Sequence, residues 1–135
     1  MAVVVDASIT LAWAFVDEQS PVADAALARV AADGGVVPAV WPFEVRNALL
    51  VGERRGRHDP SATSRFLQQL ERMPIIIDRS PLDATILALA RQYRLTVYDA
   101  AYLELAIRLG AILATSDREL IAAARRAGVA LLQPA

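Results

Sequence analysis

Asp6, Glu44, Asp99 and Asp117 are the residues of this chain best placed to do chemistry. Asp6 ends a run of valines, Val3 to Val5, and Asp117 follows the run Ile112 to Thr115. Both runs lack polar alternation in their apolar part, which suits strands buried on two faces. Such strands belong to parallel sheets, whose ligands gather in the crevice beyond the strands' carboxyl ends. Glu44 falls in the first turn of a helix that follows a second strand, and Asp99 in the first turn of a helix opened by Thr96. Each acid also has an ordinary structural reading. Asp6 and Asp117 stand where N-caps stand, and Glu44 and Asp99 suit the positive end of a helix dipole. Thr96 to Asp99, like Ser80 to Asp83, has the spacing of a variant capping box. Local spacing leaves both readings open.

The chemistry follows if the four converge. Two carboxylates about 4 Å apart repel by ~4 kcal/mol at an effective dielectric near 20, so four together must protonate or take up a cation. Oxygen-only donors select a hard ion, Mg²⁺ or Mn²⁺. Such an ion can acidify a bound water, bridge a phosphate oxygen and steady a leaving alkoxide.

The composition removes several alternatives. The 135-residue chain has no cysteine and one histidine, His58, and all fourteen of its basic residues are arginine. Disulfides, thiolate metal sites and paired-histidine catalysis are excluded, and so is a P-loop, which needs its lysine. The absence of cysteine fits a reducing cytoplasm, the expected location. A net charge of −1 does not suit a general polyanion binder, so contact with nucleic acid would need a local patch. Arg54, Arg55 and Arg57 are the densest candidate, although Glu53 and Asp59 partly neutralise them. No apolar run is long enough to span a bilayer, and no signal peptide is read at the N-terminus.

The positioning elements alternate. Expected strands are Val3–Val5, Val36–Val37, Ile75–Ile77, Ile112–Thr115 and Val129–Leu132. Between them lie helices from Ile9 to Val16, from Ser20-Pro21 to Ala32, from Pro42 to a close near Gly52 to Gly56, from Asp59-Pro60 to Met73, from Ser80-Pro81 to Tyr93, from Thr96 to Leu109, and after Asp117 to Ala127. Serine, threonine or aspartate caps followed by proline open them, and glycines close them. Interleaved strands and helices without a linker or repeat make one α/β domain.

Val-Val-Asp-Ala-Ser, Glu44-Val-Arg-Asn-Ala-Leu, Tyr98-Asp-Ala-Ala-Tyr-Leu-Glu-Leu-Ala and Leu113-Ala-Thr-Ser-Asp-Arg-Glu-Leu resemble, in order and approximate spacing, the acidic motifs of PIN-domain ribonucleases. Within that group the chain most resembles the VapC toxins of type II toxin–antitoxin pairs. The resemblance covers essentially residues 1–135 and implies a single PIN domain, a three-layer α/β fold with a short parallel sheet of four or five strands flanked by helices. It assigns Asp6, Glu44, Asp99 and Asp117 as catalytic metal ligands, Ser8 and Thr115 as supporting hydroxyls, and Asn47 as a supporting residue one helical turn beyond Glu44. It implies an endoribonuclease using Mg²⁺ or Mn²⁺ that leaves a 5′-phosphate and a 3′-hydroxyl, a homodimer, and a VapB-like antitoxin whose C-terminal segment covers the site. Some of Trp13, Phe15, Trp41 and Phe43 would line the antitoxin's groove. The alternative is a catalytically silent PIN-like module that binds RNA or a partner. A phosphatase or receiver domain of similar architecture is disfavoured, because Ser8 replaces a second aspartate and there is no lysine.

Overall fold

The computed structural model describes residues 1–134. Four strands, β1 (Val3–Val5), β2 (Gly35–Pro38), β3 (Ile75–Asp78) and β4 (Ile112–Ala114), form one sheet in the order β3-β2-β1-β4. All neighbours are parallel, with Val4 in register with Val36 on one side and Leu113 on the other. The β1 valines are at most 1% exposed. Successive strand side chains point to opposite faces, so burial of all three means that both faces are covered.

The covering helices are α1 (Ala7–Ala14), α2 (Pro21–Asp33), α3 (Trp41–Arg54), α4 (Pro60–Glu71), α5 (Asp83–Tyr93), α6 (Val97–Leu109) and α7 (Arg118–Ala127), with a single 3-10 turn at Val16–Glu18. α6 lies across β1, β2 and β4, whereas α2 packs on β1 and β4. Their ends follow the capping rules. Ser20 and Asp59 accept backbone N–H bonds from Ala23 and Ala62, and Gly110 and Gly128 end α6 and α7 in the left-handed region.

Three expectations need correction. Val129–Leu132 does not form a fifth strand; Leu131 makes a lone bridge to Leu113, held by two backbone bonds. The apolar run reads as a strand, but its β4 partner is only three residues long. Ser80 does not open α5, whose N-cap is Leu82 without a side-chain bond. Ser80 instead donates its N–H to Asp78 Oδ2 at 3.4 Å. The first helix ends at Ala14 rather than Val16.

One partly buried charge cluster fixes α6 to the β3 edge of the sheet. Glu104 is 2% exposed and receives Nε of Arg108 at 2.6 Å and its Nη2 at 3.1 Å. The same guanidinium forks onto Asp78 of β3 at 2.6 and 3.2 Å. The arginine bonds hold the Asp78 carboxyl below its ordinary range, and the two acids push the Arg108 pKa up.

Because every strand is parallel, Asp6, the start of α3 and the segment Thr115–Asp117 all lie beyond one edge of the sheet.

Candidate active site

Asp6 is the most deeply placed acid, 5% exposed, where β1 turns into α1. It caps α1, its Oδ1 accepting the Ile9 N–H at 3.1 Å. Oδ1 also accepts the Ser8 hydroxyl at 2.6 Å, and Oδ2 accepts the Thr115 hydroxyl. Burial pushes its pKa up from 3.8 to about 6, against the pull of these bonds, and the charge of Asp99 adds to the rise. A buried acid without a cation nearby behaves this way.

Asp99 sits half-buried in the first turn of α6, opened by Thr96, whose Oγ1 accepts the Asp99 N–H at 3.1 Å. Its pKa is raised first by burial, then by the charges of Asp117, Glu44 and Glu119. That coupling brings the four expected acids into one electrostatic neighbourhood. Glu119, in the first turn of α7, is a fifth member that the sequence reading passed over.

Asp117 caps α7, with Oδ1 accepting the Leu120 N–H at 2.9 Å. Its own N–H donates to Thr115 Oγ1 at 3.0 Å. Glu44 is oriented by Tyr102, whose hydroxyl donates to Oε1 at 2.6 Å. Tyr102 is 1% exposed, and burial followed by the bond to Glu44 drives its phenol pKa up. It lies one helical turn beyond Asp99, the only sequence signal that could have marked it.

The supporting residues divide. Ser8 and Thr115 bond Asp6 as expected. Ser116, not anticipated, joins them by donating both its N–H, at 3.2 Å, and its hydroxyl, at 3.0 Å, to Ser8 Oγ. Asn47 is exposed on α3 and makes no side-chain hydrogen bond among the described residues.

Of the basic patch, Arg54 and Arg55 are exposed and form no salt bridge among the described residues. Arg57 is engaged elsewhere: it pairs with Asp17 at 2.7 Å and covers the Phe15 ring at 3.9 Å. His58 also stacks on Phe15 and contacts Leu49 O and Thr63 Oγ1, each at 3.0 Å. Trp13 and Trp41 are packed, their indole N–H groups bonded to Ala23 O and Thr10 Oγ1, each at 2.9 Å. Phe43, by contrast, is 75% exposed.

A groove of about 520 Å³, lined by Ser8, Leu11, Glu18, Glu44, Ala48 and Ser116 among others, opens beside the acids. It shares Leu11, Glu18 and Ala48 with a second cleft that carries Asn47, Arg55 and Arg57.

In chemistry, though not in spacing, the donor set suits a hard divalent ion. It is all oxygen, and among the described residues none of the four acids forms a salt bridge with any arginine. Among the described residues no group of three or more His, Cys, Asp or Glu side chains is gathered closely enough to hold a metal ion; the acids are coupled by charge rather than drawn into contact.

The chain matches the PIN domain family over residues 3–126. It is similar to Exonuclease VapC9 of Pyrobaculum aerophilum, 40% identical over 80 residues, a stretch that makes up 59% of this chain and 59% of that protein. The crystal structure of PAE2754 from Pyrobaculum aerophilum superposes with a TM-score of 0.72 at 29% identity, covering 91% of this chain and 84% of that one.

Proposed function

This chain belongs to the PIN domain family, and from that membership we propose that it is a metal-dependent endoribonuclease, the toxin of a type II toxin–antitoxin pair. On this reading residues 1–135 are a single PIN domain, and Asp6, Glu44, Asp99 and Asp117 hold Mg²⁺ or Mn²⁺. The supporting observation is the raised pKa of Asp99, pushed up by both Asp117 and Glu44 where no arginine compensates. A bound ion would supply a water acidified toward neutral pH and a positive charge for the phosphate. The protein's part is orientation: Ser8, Thr115 and the Ile9 N–H fix both oxygens of Asp6, and Tyr102 fixes Glu44. The joined grooves give an RNA backbone a path from the acids toward Arg55, whose guanidinium suits phosphate oxygens. The antitoxin's C-terminal segment would occupy the groove over Leu11 and Ala48, and the free toxin would be a homodimer. No helix among the described residues is long and apolar enough to cross a membrane.

The similar protein is named an exonuclease, so the test uses RNA without ends. Circular RNA should be opened by the wild type with Mn²⁺, and Asp99→Asn should slow this on the order of 100-fold or more. Cleavage of linear but not circular RNA would convert the reading to an exonuclease. Failure to cut either with Mg²⁺ or Mn²⁺ would favour the silent binding module.

A further inference from the structure

The bonds around Asp6 point to a residue that hydrogen-bonds no acid side chain among the described residues. A serine hydroxyl has one proton to donate and two acceptor positions. Both acceptor positions of Ser8 Oγ are filled by Ser116, one by its N–H and one by its hydroxyl. The Ser8 proton then has one use, the bond to Asp6 Oδ1. With the Ile9 N–H also on Oδ1, that oxygen has no lone pair left. Among the described residues Oδ2 carries only the Thr115 hydroxyl, which in turn accepts the Asp117 N–H. One lone pair of Asp6 therefore stays free, and it is on Oδ2.

We propose that Ser116 is a positioning residue that acts through Ser8, locking the Ser8 hydroxyl onto Asp6 Oδ1 so that Asp6 presents Oδ2 alone to a metal ion. The inference rests on the metal-site reading above. It places the determinant of Asp6 orientation on the loop between β4 and α7, whereas Asp6 and Ser8 lie 108 or more residues earlier. Ser116 is itself exposed, so its substitution leaves the core untouched.

The experiment is a double-mutant cycle on Mn²⁺ binding by calorimetry, with Ser8→Ala, Ser116→Ala and the combined variant, each also melted in chelator. Loss of a partner bonded to a ligand typically costs about 10-fold or more in metal affinity. Ser8→Ala should show that loss, and Ser116→Ala, which keeps its N–H, roughly a 3- to 10-fold weaker Kd. The combined variant should bind no more weakly than Ser8→Ala alone, because Ser116 has no other route to the metal. Ser116→Thr should restore wild-type affinity. The melting temperatures in chelator of Ser116→Ala and wild type should agree, which separates positioning from folding. Additive losses, or wild-type Kd in Ser116→Ala, would overturn the proposal while leaving the metal site standing. A wild type that binds no Mn²⁺ would overturn both. Wild-type binding without RNA cleavage, with the cycle as expected, would overturn only the nuclease reading.

Discussion

Helix α6 carries acids in two opposite situations. Near its far end Glu104 shares the Arg108 guanidinium with Asp78, all three polar groups are paired, and the pKa of Asp78 falls. In its first turn Asp99 meets the charges of Asp117, Glu44 and Glu119, eased only by Thr96, and with its burial they raise its pKa. The chain has fourteen arginines, so cations were available to both regions. Where carboxylates serve the fold, the chain supplies its own counter-charge. Beyond the carboxyl ends of β1 and β4 it supplies hydroxyls instead, which orient a carboxylate without neutralising it. A deficit of positive charge kept in a folded structure is what a site for an external cation requires.

The strongest way to break this comparison is to remove the internal cation. Arg108→Ala leaves buried Glu104 uncompensated and should destabilise by ~3–5 kcal/mol, lowering Tm by roughly 10 °C or more. Arg108→Met combined with Glu104→Leu should recover much of that loss, since an apolar replacement of a buried pair is often tolerated. A small Tm change for Arg108→Ala would show that the cluster is not a structural anchor.

At the other region, removing an acid should help the metal-free protein. The Asp6 pKa is raised by folding from 3.8 to about 6, so the folded state holds the proton more tightly than the unfolded state. Stability in chelator should therefore fall as pH rises from about 4 through about 6 and level off above, by on the order of 3 kcal/mol. Asp6→Asn should remove that slope, and urea unfolding of both proteins across this range would show it. If the difference between the two proteins does not change with pH, the raised pKa is wrong.

Two matched N-caps sharpen the contrast further. Asp59 and Asp117 each accept a backbone N–H three residues on, and asparagine caps nearly as well as aspartate. Excess Mn²⁺ should raise the Tm of wild type and Asp59→Asn alike, by the equivalent of about 2.7 kcal/mol at 100 times Kd. Asp117→Asn should gain much less. Equal gains would make Asp117 a cap and nothing more.

The smallest effects concern the arginines near the grooves. Arg57→Ala breaks a surface pair with Asp17 and should cost below ~1 kcal/mol in stability. Arg55→Ala should leave the fold unchanged but lower the salt slope of single-stranded RNA binding by about 0.7. A salt slope that moves for Arg57 and not for Arg55 would reverse their assignments.

Local chemistry made most of the fold legible. The valines of β1, the Ser20-Pro21 and Asp59-Pro60 starts and the glycines that close α2, α6 and α7 stand where the sequence reading expected them, whereas Gly52 lies inside α3, which ends at Arg54. It failed where a tertiary partner decides. Ser80 looks like a cap, yet its N–H goes to an aspartate at the end of β3. Val129–Leu132 looks like a strand, yet a three-residue neighbour allows one bridge. The four acids stood out because each marks a strand or helix boundary. Tyr102 and Ser116 did not, because their partners are 58 and 108 residues away.

The bonds that set Asp6 have a consequence in time. β1 lies between β2 and β4 in the sheet, and the hydroxyls of Thr115 and Ser116 come from the segment after β4. A ribosome makes Asp6 before that segment, with Thr115 following 109 residues later. Until that segment is made, the aspartate therefore lacks the hydroxyls that orient it. The growing chain carries the residues of the site without the site, which assembles only when the last strand joins.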